Sequence, residues 1–129
     1  MYENNTYVPK LLQIIKPDTS DETLMQYWGQ YTPNYIIDTD KDEMYVLNYP
    51  HATWFDLTGN TYVTKFKLPK ISDGEEVTLT SADLLDHFEL DKCYGLQMSF
   101  YYHGKIYISG GFGGAGAIKN IRVLDLELK

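Results

Sequence analysis

Residues 99–129, SFYYHGKIYISGGFGGAGAIKNIRVLDLELK, constrain the fold of this chain more than any other stretch. His103-Gly104 separates two segments in which apolar and polar residues alternate, and such a pair predicts a two-residue β-hairpin turn with glycine at positive φ. A glycine-rich connection at 110–119 leads into a third predicted strand at 120–128. The order strand, turn, strand, connection, strand describes most of one antiparallel sheet.

Weaker copies of this unit occur earlier in the chain. Residues 6–14, 60–68 and 120–128 have the same character, and the last two segments begin about 60 residues apart. Tyr45 and its neighbours align with Tyr107 and its neighbours at nearly the same offset. A period of this length with several short antiparallel strands is typical of a β-propeller blade, because one twisted blade cannot cover both of its faces without neighbours.

Local patterns place the remaining elements. Strands are predicted at 34–38, 43–49 and 60–68, with a polar turn at 39–42 and a brief extended piece at 77–79. Residues 7–15 are predicted as a strand, with an amphipathic helical turn at 10–15 as the alternative. Thr80 and Asp83 resemble a capping box, which predicts a short helix at 81–88 with Leu84, Leu85 and Phe88 on its apolar face.

The sequence therefore predicts an all-β chain of antiparallel propeller-type blades with one short helix near 81–88. Residues 1–129 form a single propeller-like domain or a fragment of one, with blade units at about 20–69 and 91–129 and with 6–15 as a strand of a preceding blade. Propellers close with four to eight blades, so about two blades make a partial ring. The alternative is a single antiparallel sandwich whose hairpins resemble one another.

Several stretches also resemble a known family. The segment 66–90, the strand that follows Gly95-Leu96-Gln97, the hairpin YYHGKIYISGG and the run IRVLDLE are similar to the C-terminal blades of six-bladed propeller proteins common in gut Bacteroidetes. These proteins are related to the wider TolB-like and NHL-like propellers, and the resemblance covers residues 20–129. It implies a fold rather than an activity and carries over no functional residue. A complete member of the family has several more blades.

Composition limits the classes of function. Hydrophobic residues make up 43% of the chain and charged residues 22%, which is enough for a globular core, and the 12 tyrosines favour strands. A net charge of -7 and a single arginine disfavour binding to nucleic acid. Cys93 is the only cysteine, so no internal disulfide forms.

Targeting signals leave the compartment undetermined. Residues 1–6 show no secretory signal, and no apolar run approaches the 18 residues of a membrane span. We expect export only if the chain is a piece of a longer precursor.

Two loops invite comparison with ligand sites. The glycines at 110–116 could approach a phosphate, but a dinucleotide fingerprint needs a helix directly afterwards and a strand is predicted here. Carboxylates alternate at Asp38, Asp40 and Asp42, as in a calcium loop. The glycine and glutamate that an EF-hand requires are missing, so an EF-hand is excluded and a looser calcium site is the remaining alternative to a solvated turn.

No catalytic pattern stands out. The three histidines have no metal-ligand spacing, and the G-x-S-x-G motif of serine hydrolases is missing. The sequence therefore predicts no catalytic residue, no metal ligand and no cofactor. The binding candidates are aromatic residues predicted in or near loops, which can stack on sugars or peptides or can pack between blades: Trp28, Tyr31, Trp54, Phe55 and Phe112.

These observations favour a non-catalytic scaffold or binding module for a peptide, glycan or protein ligand. The alternative is a hydrolase-type or lyase-type propeller enzyme whose site lies partly in blades outside this sequence. A third hypothesis is self-assembly, in which several copies close one ring.

Overall fold

The computed structural model describes residues 2–3, 6–28, 34–48, 61–90, 96–110 and 121–125. The strands in these ranges are β1 (Tyr2–Glu3), β2 (Thr6–Tyr7), β3 (Ile14–Pro17), β4 (Asn34–Asp38), β5 (Glu43–Asn48), β6 (Thr61–Lys67), β7 (Glu76–Leu79), β8 (Leu84–Leu90), β9 (Leu96–Tyr102), β10 (Lys105–Gly110) and β11 (Ile121–Asp125). One α-helix, α1 (Glu22–Trp28), lies within the same ranges, together with single 3-10 turns at Ile71–Asp73 and Ser81–Asp83. The predicted all-β class, with antiparallel sheets and one helix, is confirmed.

A four-stranded antiparallel sheet in the order β4-β5-β6-β8 forms the centre of the molecule. The strands predicted at 34–38, 43–49 and 60–68 are all present, with ends within one residue over the described range. The predicted turn between β4 and β5 is also present. The buried Asp38 carboxylate accepts hydrogen bonds from the backbone N–H groups of Asp40 (2.9 Å) and Lys41 (3.1 Å), which closes the turn.

A three-stranded antiparallel sheet in the order β11-β10-β9 lies against the first sheet. The hairpin turn predicted at His103-Gly104 is confirmed, because His103 has φ 47° and Gly104 has φ 78°. Two central residues with positive φ make the turn whose twist matches the flanking strands. Tyr102 and Lys105 therefore become opposite partners at the start of the ladder.

The helix predicted at 81–88 is wrong. The capping box itself forms, since the Ala82 N–H donates to the Thr80 hydroxyl (3.3 Å) and the Thr80 N–H donates to the Asp83 carboxylate (2.8 Å). It caps only one 3-10 turn, and β8 begins at Leu84. Burial then alternates with period two up to Leu90, and β8 pairs along its length with β6, so sheet pairing overrides the local helix signal.

The α-helix lies instead at 22–28, where the sequence analysis predicts no element. Asp21 is its N-cap, because the Asp21 carboxylate accepts a hydrogen bond from the Leu24 N–H (3.0 Å) and its carbonyl accepts from the Met25 N–H (3.0 Å). Leu24 and Trp28 are buried on one side of the helix, which fixes that side against the four-stranded sheet.

The pairing of β3 with β7 is parallel, and this departs from a purely antiparallel arrangement. The strand predicted over 7–15 is wrong between residues 8 and 13, which have no regular secondary structure, and β3 begins only at Ile14. Just before it, the Gln13 side-chain amide donates to the carbonyls of Lys70 (2.7 Å) and Gly74 (2.9 Å). These bonds hold the chain beside the loop before β7, so β3 pairs with a strand distant in sequence.

Both faces of the four-stranded sheet are covered, and β5 is buried from Met44 to Asn48. One face packs against α1 and β7 through a cluster of Leu24, Trp28, Met44, Val46, Phe66 and Leu79. The other face packs against the three-stranded sheet through a cluster of Ile36, Tyr45, Leu47, Val63, Leu90, Ile106 and Ile108. Within this second layer contact, the first strands of the two sheets, β4 and β9, lie beside each other.

Candidate functional site

The side of the three-stranded sheet that faces away from the core carries large apolar and aromatic side chains. Tyr101, Ile106, Ile108 and Leu124 point inward into the shared core. Because side chains alternate along a strand, the neighbouring positions point outward. We define the outer face as Met98, Phe100, Tyr102, Tyr107, Ile121 and Val123.

The outer face is open to solvent. Its residues other than the partly buried Tyr107 are between 50% and 67% exposed. For side chains of this size, this exposure corresponds to an apolar surface on the order of 500 Å², near the upper end of the largest patch on an ordinary monomer. A patch of this extent marks a surface that binds something.

The aromatic rings on this face are arranged in an ordered group. Phe100 and Tyr107 stack across the strands with ring centroids 5.1 Å apart and planes 4° apart. Tyr102 meets Tyr107 edge to face at 6.4 Å, and His103 in the hairpin turn lies 4.0 Å from the Tyr102 ring. Contacts of this kind hold the rings in place before a ligand arrives, which lowers the entropy that binding costs.

Charge on this face is confined to one end. The register places Phe100, Tyr107 and Val123 in a central apolar row and Tyr102, Lys105 and Asp125 in the row beside the hairpin. The Lys105 Nζ and an Asp125 carboxylate oxygen are 3.8 Å apart, so one positive and one negative charge offset each other. The chemistry available here is apolar packing and ring stacking.

The acidic turn between β4 and β5 uses its carboxylates within the protein. Asp38 accepts backbone hydrogen bonds, Asp40 accepts a hydrogen bond from the Tyr101 hydroxyl, and Glu43 forms a half-buried ion pair with Lys65 at 2.9 Å. Across the described ranges, His, Cys, Asp and Glu side chains form no group of three or more that could hold a metal ion. The four acidic residues of this turn are therefore structural.

A second aromatic group lies on the opposite face of the four-stranded sheet, beside α1. The Tyr27 ring stacks on His87 at 4.5 Å and meets Tyr62 edge to face at 6.1 Å. Burial and the nearby Glu89 carboxylate raise the pKa of the Tyr62 phenol. The Thr64 hydroxyl donates to the Tyr27 carbonyl (3.5 Å), so this group joins the helix end to the sheet.

The structure places one predicted binding residue in the core. Trp28 is 3% exposed and packs on the rings of Phe66 (5.4 Å) and Tyr35 (6.0 Å), so its ring stabilises the helix contact and is not offered to a ligand. Tyr31, Trp54, Phe55 and Phe112 lie outside the described residues and stay predictions.

The outer face itself was missed by sequence reasoning. Residues 98–102 are apolar or aromatic at most positions on both faces of the strand, so alternation alone does not reveal which face is left open. The signal that could have found it is the triplet Met98, Phe100 and Tyr102 at period two, opposite Tyr107 across the hairpin.

Comparison of the chain with protein-family models, with curated proteins and with solved structures finds no match. In the part of the chain that the structure describes, no helix combines the length and the hydropathy that crossing a membrane requires.

Proposed function

We propose that this protein is a non-catalytic interaction module built from two propeller-type blades, and that it binds its partner through the outer face. The observation that carries the proposal is the aromatic and apolar surface of β9, β10 and β11, which is large, exposed and free of net charge. Partners of this chemistry are proteins, peptides with apolar side chains, and glycans that offer a flat face for stacking.

The packing of the two sheets supports the blade interpretation. Both are antiparallel sheets in which consecutive strands neighbour each other, except that β7 is set aside between β6 and β8. They pack face to face with β4 beside β9, and propeller blades likewise stack with their first strands grouped around a common channel. A two-sheet sandwich is the alternative, and the resemblance to six-bladed propellers of gut Bacteroidetes belongs to this proposal.

A positional match between two tyrosines also supports it. Tyr45 lies in the second strand of the first sheet, and Tyr107 lies in the second strand of the other sheet. The face that carries Tyr45 is covered by the three-stranded sheet, whereas the equivalent face with Tyr107 is the outer face. A repeated blade would produce this relationship, because each blade covers one face of the preceding blade.

A binding screen with matched variants tests the proposal. The wild-type protein is used to select ligands from a displayed peptide library and a glycan array, and each ligand is then measured against Val123→Lys and Leu85→Lys. The two positions are 54% and 55% exposed, but only Val123 lies on the outer face. We expect affinity to fall at least about tenfold for Val123→Lys and to stay unchanged for Leu85→Lys, because a lysine would have to be buried at the contact. Ligands that bind both variants equally would contradict the proposal.

A further inference from the structure

Building on the proposed function of the outer face, we infer that its occupant is a second copy of this chain, so that two chains pack outer face to outer face in a symmetric dimer. The molecule itself shows what covers a face of this kind. The equivalent face of the four-stranded sheet, which includes Tyr45 and Leu47, is covered by the apolar side of another antiparallel sheet, through Ile106 and Ile108. An apolar sheet face is therefore the matching surface, and a second copy brings one in its own outer face.

Charge favours this face over the rest of the surface as a contact between copies. Two chains that each carry a net charge of -7 repel each other wherever their acidic surfaces meet. The outer face carries only Lys105 and Asp125, of opposite sign and 3.8 Å apart, so bringing two outer faces together adds no like-charge repulsion at the contact itself. Each copy also offers the other one cation and one anion, which makes the surface self-complementary, as a two-fold contact requires.

The size of the face determines how strong this dimer is. A patch on the order of 500 Å² on each chain gives about 1,000 Å² in total, which is the lower limit for a specific interface. Its composition, with Met98, Phe100, Tyr102 and Tyr107, matches the residue types enriched at such contacts. We therefore expect a reversible dimer whose dissociation constant lies in the micromolar range or above, and not a permanent one.

Sedimentation velocity of the full chain from about 1 μM to about 1 mM tests the inference over the range in which such a dimer dissociates. The wild-type protein should pass from monomer to dimer and stop there. Val123→Lys and, independently, Ile121→Lys should raise the dissociation constant at least about tenfold, because each brings an unpaired charge into the contact. Leu85→Lys should dimerise as the wild type does. Added salt should strengthen the wild-type dimer, because it screens the repulsion between two acidic chains. Circular dichroism and a thermal melt on each variant confirm that its fold is retained.

Three outcomes would overturn the inference. A wild-type chain that stays monomeric up to about 1 mM is one of them. Association beyond the dimer is another, because a symmetric contact uses up its own surface. A dimer that persists in Val123→Lys and is lost in Leu11→Lys would place the contact at the exposed segment before β3 instead. If the chain is monomeric while selected ligands still depend on Val123, the proposed function stands and only the identity of the partner is wrong. If selected ligands ignore Val123, the proposed function fails as well.

Discussion

The Tyr101 hydroxyl donates a hydrogen bond to the Asp40 carboxylate and so joins the three-stranded sheet to the turn between β4 and β5. This hydrogen bond, together with burial of the phenol, raises the pKa of Tyr101 to about 12, and the nearby Asp38 charge adds to the shift. The ordinary value is 10.0, so the phenol stays protonated in the folded protein over a range in which it would ionise in the unfolded chain.

The Tyr101 bond predicts a loss of stability at alkaline pH. Since the folded pKa is raised, the stabilisation is complete below pH 10 and is lost as the pH rises from 10 toward about 12. Thermal melts of the wild type and Tyr101→Phe should differ near neutral pH and converge at the alkaline end. Tyr102→Phe, on the outer face, is the matched control and should follow the wild type. A constant difference between wild type and Tyr101→Phe at all pH values would contradict the prediction.

The Asp21 carboxylate predicts the opposite dependence at acid pH. It accepts hydrogen bonds from the Ser81 N–H (2.7 Å) and the Leu24 N–H (3.0 Å), and these bonds lower its pKa from 3.8. A depressed folded pKa stabilises the protein above the unfolded value, and this stabilisation is lost as the pH falls below 3.8 through the folded value. We therefore expect Asp21→Ala to melt at a lower temperature than the wild type near pH 7, and the gap to close in acid.

Glu75→Ala provides the control for Asp21→Ala, because it also removes one exposed negative charge but lies in the loop before β7. Its melting temperature should follow the wild type across the same pH range. If Glu75→Ala and Asp21→Ala behaved alike, net charge rather than the two hydrogen bonds would explain the effect.

Local signals were enough for some elements and misleading for others. The hairpin at His103-Gly104 and the turn after Asp38 were predicted correctly, because each depends on residues that bond or bend their own backbone. The capping box at Thr80 was read correctly as a turn signal, but pairing between β6 and β8 decided what followed. The parallel pairing of Ile14 with Glu76 depends on contacts between distant residues, which no local pattern encodes.

The candidate site was harder to predict than the fold for a related reason. Sequence reasoning selected Trp28 because aromatic rings near loops often bind ligands, yet the helix turns this ring into the core. Phe100 and Tyr107 alternate with equally apolar neighbours, so only the packing of the second sheet shows which rings remain exposed. Which face of a doubly apolar strand is covered is a property of the layers and not of the strand.

The contact between α1 and the four-stranded sheet predicts a large cost for one substitution. Phe66 is fully buried and its ring lies 5.4 Å from Trp28. Phe66→Ala removes most of that side chain and leaves a cavity, so we expect it to lower the free energy of unfolding by about 3–5 kcal/mol. Leu85→Ala, at an exposed position, should change it by less than about 0.5 kcal/mol. Urea denaturation measures both, and a small effect for Phe66→Ala would show that α1 does not depend on this contact.

The turn between β9 and β10 predicts a cost that comes from the backbone alone. Gly104 has φ 78°, and a Cβ built there meets no atom within 4 Å, so substitution adds no steric clash. An alanine in this left-handed region is less favourable by about 1–2 kcal/mol, and we expect Gly104→Ala to lower the free energy of unfolding by about that amount. Gly104→Asn should lose less, because asparagine tolerates the left-handed conformation better than alanine. Urea denaturation of the two variants separates the causes: equal losses would contradict a backbone origin, whereas a smaller loss for Gly104→Asn follows directly from the positive φ that the hairpin imposes.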